Sequence, residues 1–158
     1  MRRTSTFGSI SWQTSSRPKR QKGICWKWIA TSVVRRARPL PARMYGQLLP
    51  DPLDVVVLGM GEDGHTASLF PGSPALDVRD ARVVPVTGPK PPQRRMTITP
   101  GVIEGARDVL VLVAGAGKAA MLARALEGPI DVRSVPVQLA RDRTFIVDAA
   151  AASALARP

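Results

Sequence analysis

The sequence predicts a layered α/β domain with a mostly parallel sheet, occupying the chain from Leu53 onward. Three observations predict it. Two strongly apolar runs, residues 53–58 and 108–114, each end at a glycine, as buried parallel strands do on reaching a turn. Short β-rich runs and helix-forming stretches alternate between and after them. The chain has 158 residues, 44% of them apolar, which is enough for one domain with a real core.

Each element has its own reason. Residues 53–58 are continuously apolar apart from Asp54 and stop at Gly59, so they read as a strand buried on both faces. Residues 82–86 and 95–99 are short β-rich runs on either side of residues 87–93, where three prolines exclude regular structure. Residues 100–107 suit a short helix with proline in its first turn. Residues 108–114 form the second apolar strand, and residues 117–126, rich in Ala, Met and Leu, a helix ended by Gly128 and Pro129. Residues 144–147 read as a last strand and residues 149–156 as a small C-terminal helix. No internal repeat is visible.

Charge divides the chain at residue 50. The net charge of +11 comes from 23 Lys and Arg against 12 Asp and Glu; residues 1–50 hold 11 of the basic residues and no acid. The remainder is balanced, 12 against 12. Residues 1–52 therefore read as a separate basic segment, disordered or unrelated to the fold, because they show no sustained helical or strand period. Two functional readings compete with that one: a phosphate-gripping arm whose Trp12, Trp26 and Trp28 stack on bases, and an Arg- and Ser-rich transit peptide. A misassigned start or reading frame would also produce such a stretch. No nucleic-acid partner is predicted for the balanced region. The sole cysteine, Cys25, allows no internal disulfide and no thiolate metal cluster, which favours a reducing, cytoplasmic setting. No run approaches the roughly 20 apolar residues of a membrane span; the best candidate, residues 23–34, is short and interrupted by Lys27.

The candidate chemistry lies just after the first strand. Gly59, Gly61 and Gly64 have the spacing of a dinucleotide-binding turn, which must open a long helix. Here Pro71 and Pro74 leave room for barely more than one helical turn, and no strand places Asp77 or Asp80 beside a ribose. The alternative is a glycine-rich turn at the carboxyl end of a strand, where open α/β sheets bind ligands, presenting the chain's one histidine, His65. Glu62 and Asp63 supply carboxylates that orient an imidazole able to change charge between pH 5 and 8. A histidine that merely caps the turn fits the same spacing.

The residues themselves say more. The string DVVVLGMGEDGHTASLFPG, residues 54–72, closely resembles the signature of 6-phosphogluconolactonases, within the glucosamine-6-phosphate isomerase superfamily. The resemblance continues through KPPQRRMTIT at 90–99, ARDVLVLVAGAGKA at 106–119 and LEG at 126–128. It covers residues 53–150. Related aminosugar-phosphate isomerases and deaminases carry a similar Gly-His loop but continue with Asn-Glu-Pro, where this chain has Leu69, Phe70 and Pro71, so the lactonase branch is preferred.

The resemblance implies a Rossmann-like fold and hydrolysis of 6-phosphoglucono-1,5-lactone to 6-phosphogluconate, in the pentose phosphate pathway, with neither metal nor organic cofactor. The expected partner is the phosphosugar lactone alone. His65 matches the family's general base and Asp63 would hold its ring in the required tautomer. Backbone N–H groups between Gly61 and His65 are expected to steady the oxyanion. For the phosphate, Arg95 matches the superfamily's arginine, with a fork suited to bidentate contact. The Gly115-Ala-Gly117-Lys118 turn offers N–H groups and a lysine at a helix start; it is not a Walker A loop, since Leu112 and Ala119 stand where that motif needs Gly and Ser or Thr. Arg94 reads as surface charge. Family members are longer, and their N-terminal half supplies the first strands, another phosphate-contacting loop and an Asp-Glu-Arg stretch, none of which appears in residues 1–52. The expected fold is therefore partial, with strands 53–58 and 108–114 each lacking a neighbour on one side and exposing an apolar edge.

Overall fold

The structure, a computed structural model, describes residues 41–156. In chain order they form α1 (Ala42–Leu48), β1 (Val55–Gly59), a 3₁₀ turn (Pro74–Asp77), β2 (Val83–Thr87), β3 (Arg94–Ile98), α2 (Pro100–Gly105) and β4 (Asp108–Val113). There follow a 3₁₀ turn (Ala116–Lys118) running into α3 (Ala119–Glu127), a 3₁₀ helix (Pro136–Ala140), β5 (Thr144–Val147) and a final 3₁₀ turn (Ala151–Ala154). The basic stretch 1–40, with its tryptophans, Cys25 and the apolar run 23–34, lies outside the described residues. Among the described residues no helix is long and apolar enough to cross a membrane.

Strands β1, β4 and β5 make a parallel sheet in that order, with Val56 opposite Val109 and Leu112 opposite Ile146. Strands β2 and β3 form a separate antiparallel pair. Pro85 is tolerated within β2 because a two-stranded sheet consists only of edges and leaves its missing N–H room to face outward. In α3, Ala119, Leu122 and Ala125 recur every three residues and are buried, while Gly128 ends the helix by donating its N–H to the Arg124 carbonyl. The core lies between this helix and one face of the parallel sheet: Val56, Leu58, Val109, Val111, Leu122 and Val137 are all buried. Each such side chain contributes roughly 1.5–3 kcal/mol on leaving water, offset by chain entropy.

The structure corrects several expectations. β1 is not buried on both faces: Val55 and Val57 remain 53% and 59% exposed, and Leu112 and Ile146 on the neighbouring strands are about half exposed as well. Of the two strands expected to lack a neighbour, only β1 does among the described residues, since β4 lies between β1 and β5. The helix predicted for 117–126 begins as a 3₁₀ turn, because Lys118 N–H bonds back to the Gly115 carbonyl before the α-ladder starts. The predicted C-terminal helix is a single 3₁₀ turn, Ala151–Ala154. Finally, α1 lies ahead of Leu53, where no regular element is expected. Its buried positions are Ala42 and Gly46, four residues apart, and Gly46 lets the helix approach the backbone of Val83. Two small residues make a close helical contact without an apolar stripe to announce it.

Candidate active site

The loop after β1 is fixed before it reaches any functional side chain. The wholly buried Thr66 donates its hydroxyl to the Gly59 carbonyl at 2.9 Å, tying the loop to the strand that launches it. Gly61 N–H donates to the His65 carbonyl at 2.8 Å and Gly64 N–H to the Gly61 carbonyl at 3.1 Å, closing a tight turn. Gly64 has φ of +82°, a left-handed conformation open to glycine at no steric cost. Its carbonyl accepts the Val137 N–H at 2.9 Å, which anchors the turn to the 3₁₀ helix Pro136–Ala140. No helix follows the glycines; a Thr66–Leu69 bridge and successive turns occupy residues 66–73, so the dinucleotide reading lacks the element it requires.

The turn presents His65 against Asp63. Nδ1 lies 2.5 Å from Asp63 Oδ1, and the same oxygen accepts the His65 backbone N–H at 3.2 Å. Partial burial of the Asp63 carboxyl pushes its pKa up, but the hydrogen bonds from the His65 ring and backbone, with the charge of the ring, outweigh this and hold it below the ordinary aspartate range. An ionised carboxylate only accepts, so Nδ1 is the nitrogen that donates to it, and in the neutral imidazole the lone pair is on Nε2. The imidazole remains 30% exposed, within reach of water.

Gly61 serves this pair sterically. A Cβ there would overlap the His65 ring and the Asp63 carboxylate. Its expected part in an oxyanion hole is corrected, since the N–H groups of Gly61, Gly64 and His65 are all engaged within the turn. Those of Glu62 and Asp63 are the ones left in that segment.

Arg95 and Lys118 both approach the loop. Phe70, buried, has its ring centre 4.9 Å from that of His65 and 5.5 Å from the Arg95 guanidinium carbon, so one aromatic ring touches both groups. Arg95 is aimed by its own hairpin loop: Nε donates to the Pro92 carbonyl at 2.9 Å and a terminal nitrogen to the Lys90 carbonyl at 3.0 Å. Its remaining donors stay available for an anion. Lys118 donates its ammonium to the Met60 carbonyl, one residue before Gly61, and retains two further donors. Gly117 lies beside Glu62, where an added Cβ would stand 3.3 Å from the carboxylate. Arg94 is exposed at the start of β3. The Gly115 N–H, expected to be open to a ligand, donates to both Asp148 oxygens at 3.1 and 3.0 Å.

Sequence reasoning names His65, Asp63, Glu62, Arg95 and Lys118; it misses Asp148 and the part of Phe70, and of the two carboxylates it offered the ring only Asp63 bonds it, while Glu62 lies beside Gly117. Phe70 enters the reading only as the residue standing where related enzymes have glutamate; its placement depends on a hairpin 25 residues away in sequence. Asp148 offers one local signal, an acid directly after a strand. Among the described residues no three His, Cys, Asp or Glu side chains converge as metal ligands. A groove of about 360 Å³ lined by Tyr45, Val57, Ser68, Met96 and Thr97 does not include His65 or either cation.

Known proteins resemble this chain in sequence and fold. Residues 30–147 match the family model of glucosamine-6-phosphate isomerases/6-phosphogluconolactonase, a match that begins ahead of Leu53. A 6-phosphogluconolactonase of Rattus norvegicus is 40% identical over 127 residues, which cover 77% of this chain and 48% of the relative. The 6-phosphogluconolactonase structure from Trypanosoma brucei superposes with a TM-score of 0.64 at 33% identity, covering 73% of this chain and 52% of that one. A monomeric glucosamine-6-phosphate deaminase superposes with a TM-score of 0.60 at 25% identity, covering 72% and 53%. The chain spans about half the length of the curated relatives it matches. With the family model covering three quarters of it, the chain belongs to the family of glucosamine-6-phosphate isomerases and 6-phosphogluconolactonases.

Proposed function

We propose that the chain hydrolyses 6-phosphoglucono-1,5-lactone to 6-phosphogluconate, in a cytoplasmic setting. The observation that carries this reading is the His65–Asp63 pair: a ring nitrogen left free by a 2.5 Å hydrogen bond at the other, on a partly exposed imidazole. Nε2 takes a proton from water as its oxygen bonds to the lactone carbonyl carbon, giving a tetrahedral oxyanion. Collapse of that oxyanion breaks the bond to the ring oxygen, which receives the proton from the imidazolium. The acid formed then ionises, so one water is consumed and one proton released. Asp63 fixes the tautomer and stabilises the imidazolium without being protonated itself. Arg95 and Lys118 hold the phosphate, and Phe70 spaces Arg95 from the base. No step calls on a metal or organic cofactor.

Similarity to proteins named 6-phosphogluconolactonase supports this substrate. Phe70, at the position where aminosugar-phosphate enzymes carry glutamate, supports the lactonase branch. The test is the rate of lactone opening by the purified chain and its His65→Ala variant. Loss of a positioned general base lowers kcat by about 10² to 10⁴; equal rates would remove His65 from the mechanism.

A further inference from the structure

The Gly115 turn and β5 meet at the carboxyl edge of the sheet. Val113 and Val147 are register partners, and the Asp148 N–H donates to the Val113 carbonyl at 3.3 Å. The Asp148 side chain then turns back across this junction. Its two oxygens accept the Gly115 N–H at 3.1 and 3.0 Å, and Oδ1 also accepts the Ala151 N–H at 2.7 Å. Gly115 has φ of +97°, a region open to glycine and rarely adopted by other residues, which lets the backbone turn here toward the Asp148 carboxylate. From Gly115 the connection runs on to the site. Its carbonyl accepts the Lys118 N–H at 3.1 Å, and the Lys118 ammonium donates to Met60, beside the glycine that makes room for His65.

We propose that Asp148 is a positioning residue for substrate-phosphate binding: by holding Gly115 it sets where Lys118 presents its charge relative to His65. The proposal rests on the reading of Lys118 as a phosphate-binding residue. Two effects of opposite sign meet at Asp148, and they decide the test. A carboxylate near an incoming phosphate repels it, so if charge alone mattered, neutralising Asp148 would tighten phosphate binding. Here the carboxylate already accepts hydrogen bonds from two backbone N–H groups, and those hold it ionised below the ordinary range. Removing it frees Gly115, and with Gly115 the lysine. Asp148→Asn keeps an acceptor but turns an NH₂ group toward one of these donors; Asp148→Ala removes the anchor outright.

The experiment compares the parent, Asp148→Asn and Asp148→Ala in three measurements. These are kcat and KM for the phosphorylated lactone, the same for unphosphorylated glucono-1,5-lactone, and binding of inorganic phosphate followed through the amide resonances of Gly115 and Lys118. Loss of a charge-assisted hydrogen bond predicts that the preference for the phosphorylated substrate falls about tenfold, through KM, and that phosphate binding weakens by a similar factor. Asp148→Ala is expected to show the larger change. Tighter phosphate binding in Asp148→Asn, or equal losses on both lactones with phosphate binding unchanged, would overturn the proposal. If the parent opens neither lactone, the proposed reaction falls, while the phosphate titration still decides whether Asp148 governs Lys118.

Discussion

Replacing Gly61 with alanine tests the geometry of the base with one methyl group. The added carbon would fall on the His65 ring and the Asp63 carboxylate. Non-bonded heavy atoms settle about 3.5–4 Å apart, so the imidazole must move by more than about 1 Å, or the 2.5 Å bond to Asp63 must break. A misplacement of about 1 Å costs on the order of 10²-fold in rate, and complete loss of a general base about 10² to 10⁴. The expected result is a fall in kcat of about 10²-fold or more, with far-UV circular dichroism unchanged, since the added methyl falls on the partly exposed His65 ring and Asp63 carboxylate and not on the loop's core residues Met60 and Leu69. Gly59→Ala is the matched control. Two residues away, at the end of β1, its Cβ would meet nothing within 4 Å, and such substitutions usually cost no more than about 0.5 kcal/mol. If Gly61→Ala and Gly59→Ala show the same kcat in a lactone-opening assay, the space beside Gly61 is not where the working imidazole sits, and the argument from the turn fails.

Two further outcomes follow from the same hydrogen bonds. Asp63, Asp131 and Asp148 titrate below the ordinary aspartate range in the folded chain; for Asp63 opposing burial is outweighed by the bonds from His65, for Asp131 the Ser134 hydrogen bonds dominate and for Asp148 the Ala151 and Gly115 N–H groups. The unfolded chain, with these groups at about 3.9, therefore takes up protons first as pH falls. Their stabilisation is complete above that value and is lost as pH drops through the folded-state pKa values. Urea midpoints should be flat with respect to these groups from neutral pH down to about pH 5 and decline below about pH 4, less steeply in Asp63→Asn; a midpoint that rises on acidification would reverse the assignment. Thr66→Val keeps the shape of a wholly buried side chain but deletes its 2.9 Å hydrogen bond to Gly59. About 1–3 kcal/mol of stability should be lost in urea unfolding, and an unchanged midpoint would mean that the loop does not depend on this tie.

The fold was legible where residue type and local geometry coincide. β4 and β5 follow from apolar, β-branched runs, and α3 from buried small and apolar residues ended by Gly128. What was not legible is pairing. Nothing in residues 82–99 distinguishes a separate hairpin from two more strands of the main sheet, and β1 has the same apolar run whether one face or both are covered. Its pattern sets what could be buried; the neighbours decide what is, and here they leave Val55 and Val57 in the open. Helix α1 was invisible for the opposite reason, since it is held by absence of bulk at Ala42 and Gly46 and presents no hydrophobic repeat.

The site divides in the same way. His65, Asp63 and Gly61 sit within five residues, so one motif contains the whole base and its orienting acid. Arg95, Lys118 and Asp148 reach the motif from three other elements, and no spacing in the sequence encodes that meeting. The parallel sheet does. Strands running the same way finish on one edge, so the residues after β1, β4 and β5 are delivered together however far apart they lie in the chain: His65 after the first, Lys118 after the second, Asp148 after the third. Arg95 is the exception. It is carried by the separate hairpin and located by Phe70, a contact that depends on packing between two elements. The position of Arg95 is therefore less determined by the sheet than that of Lys118, and changes at Phe70 should disturb the arginine's grip while leaving the lysine's intact.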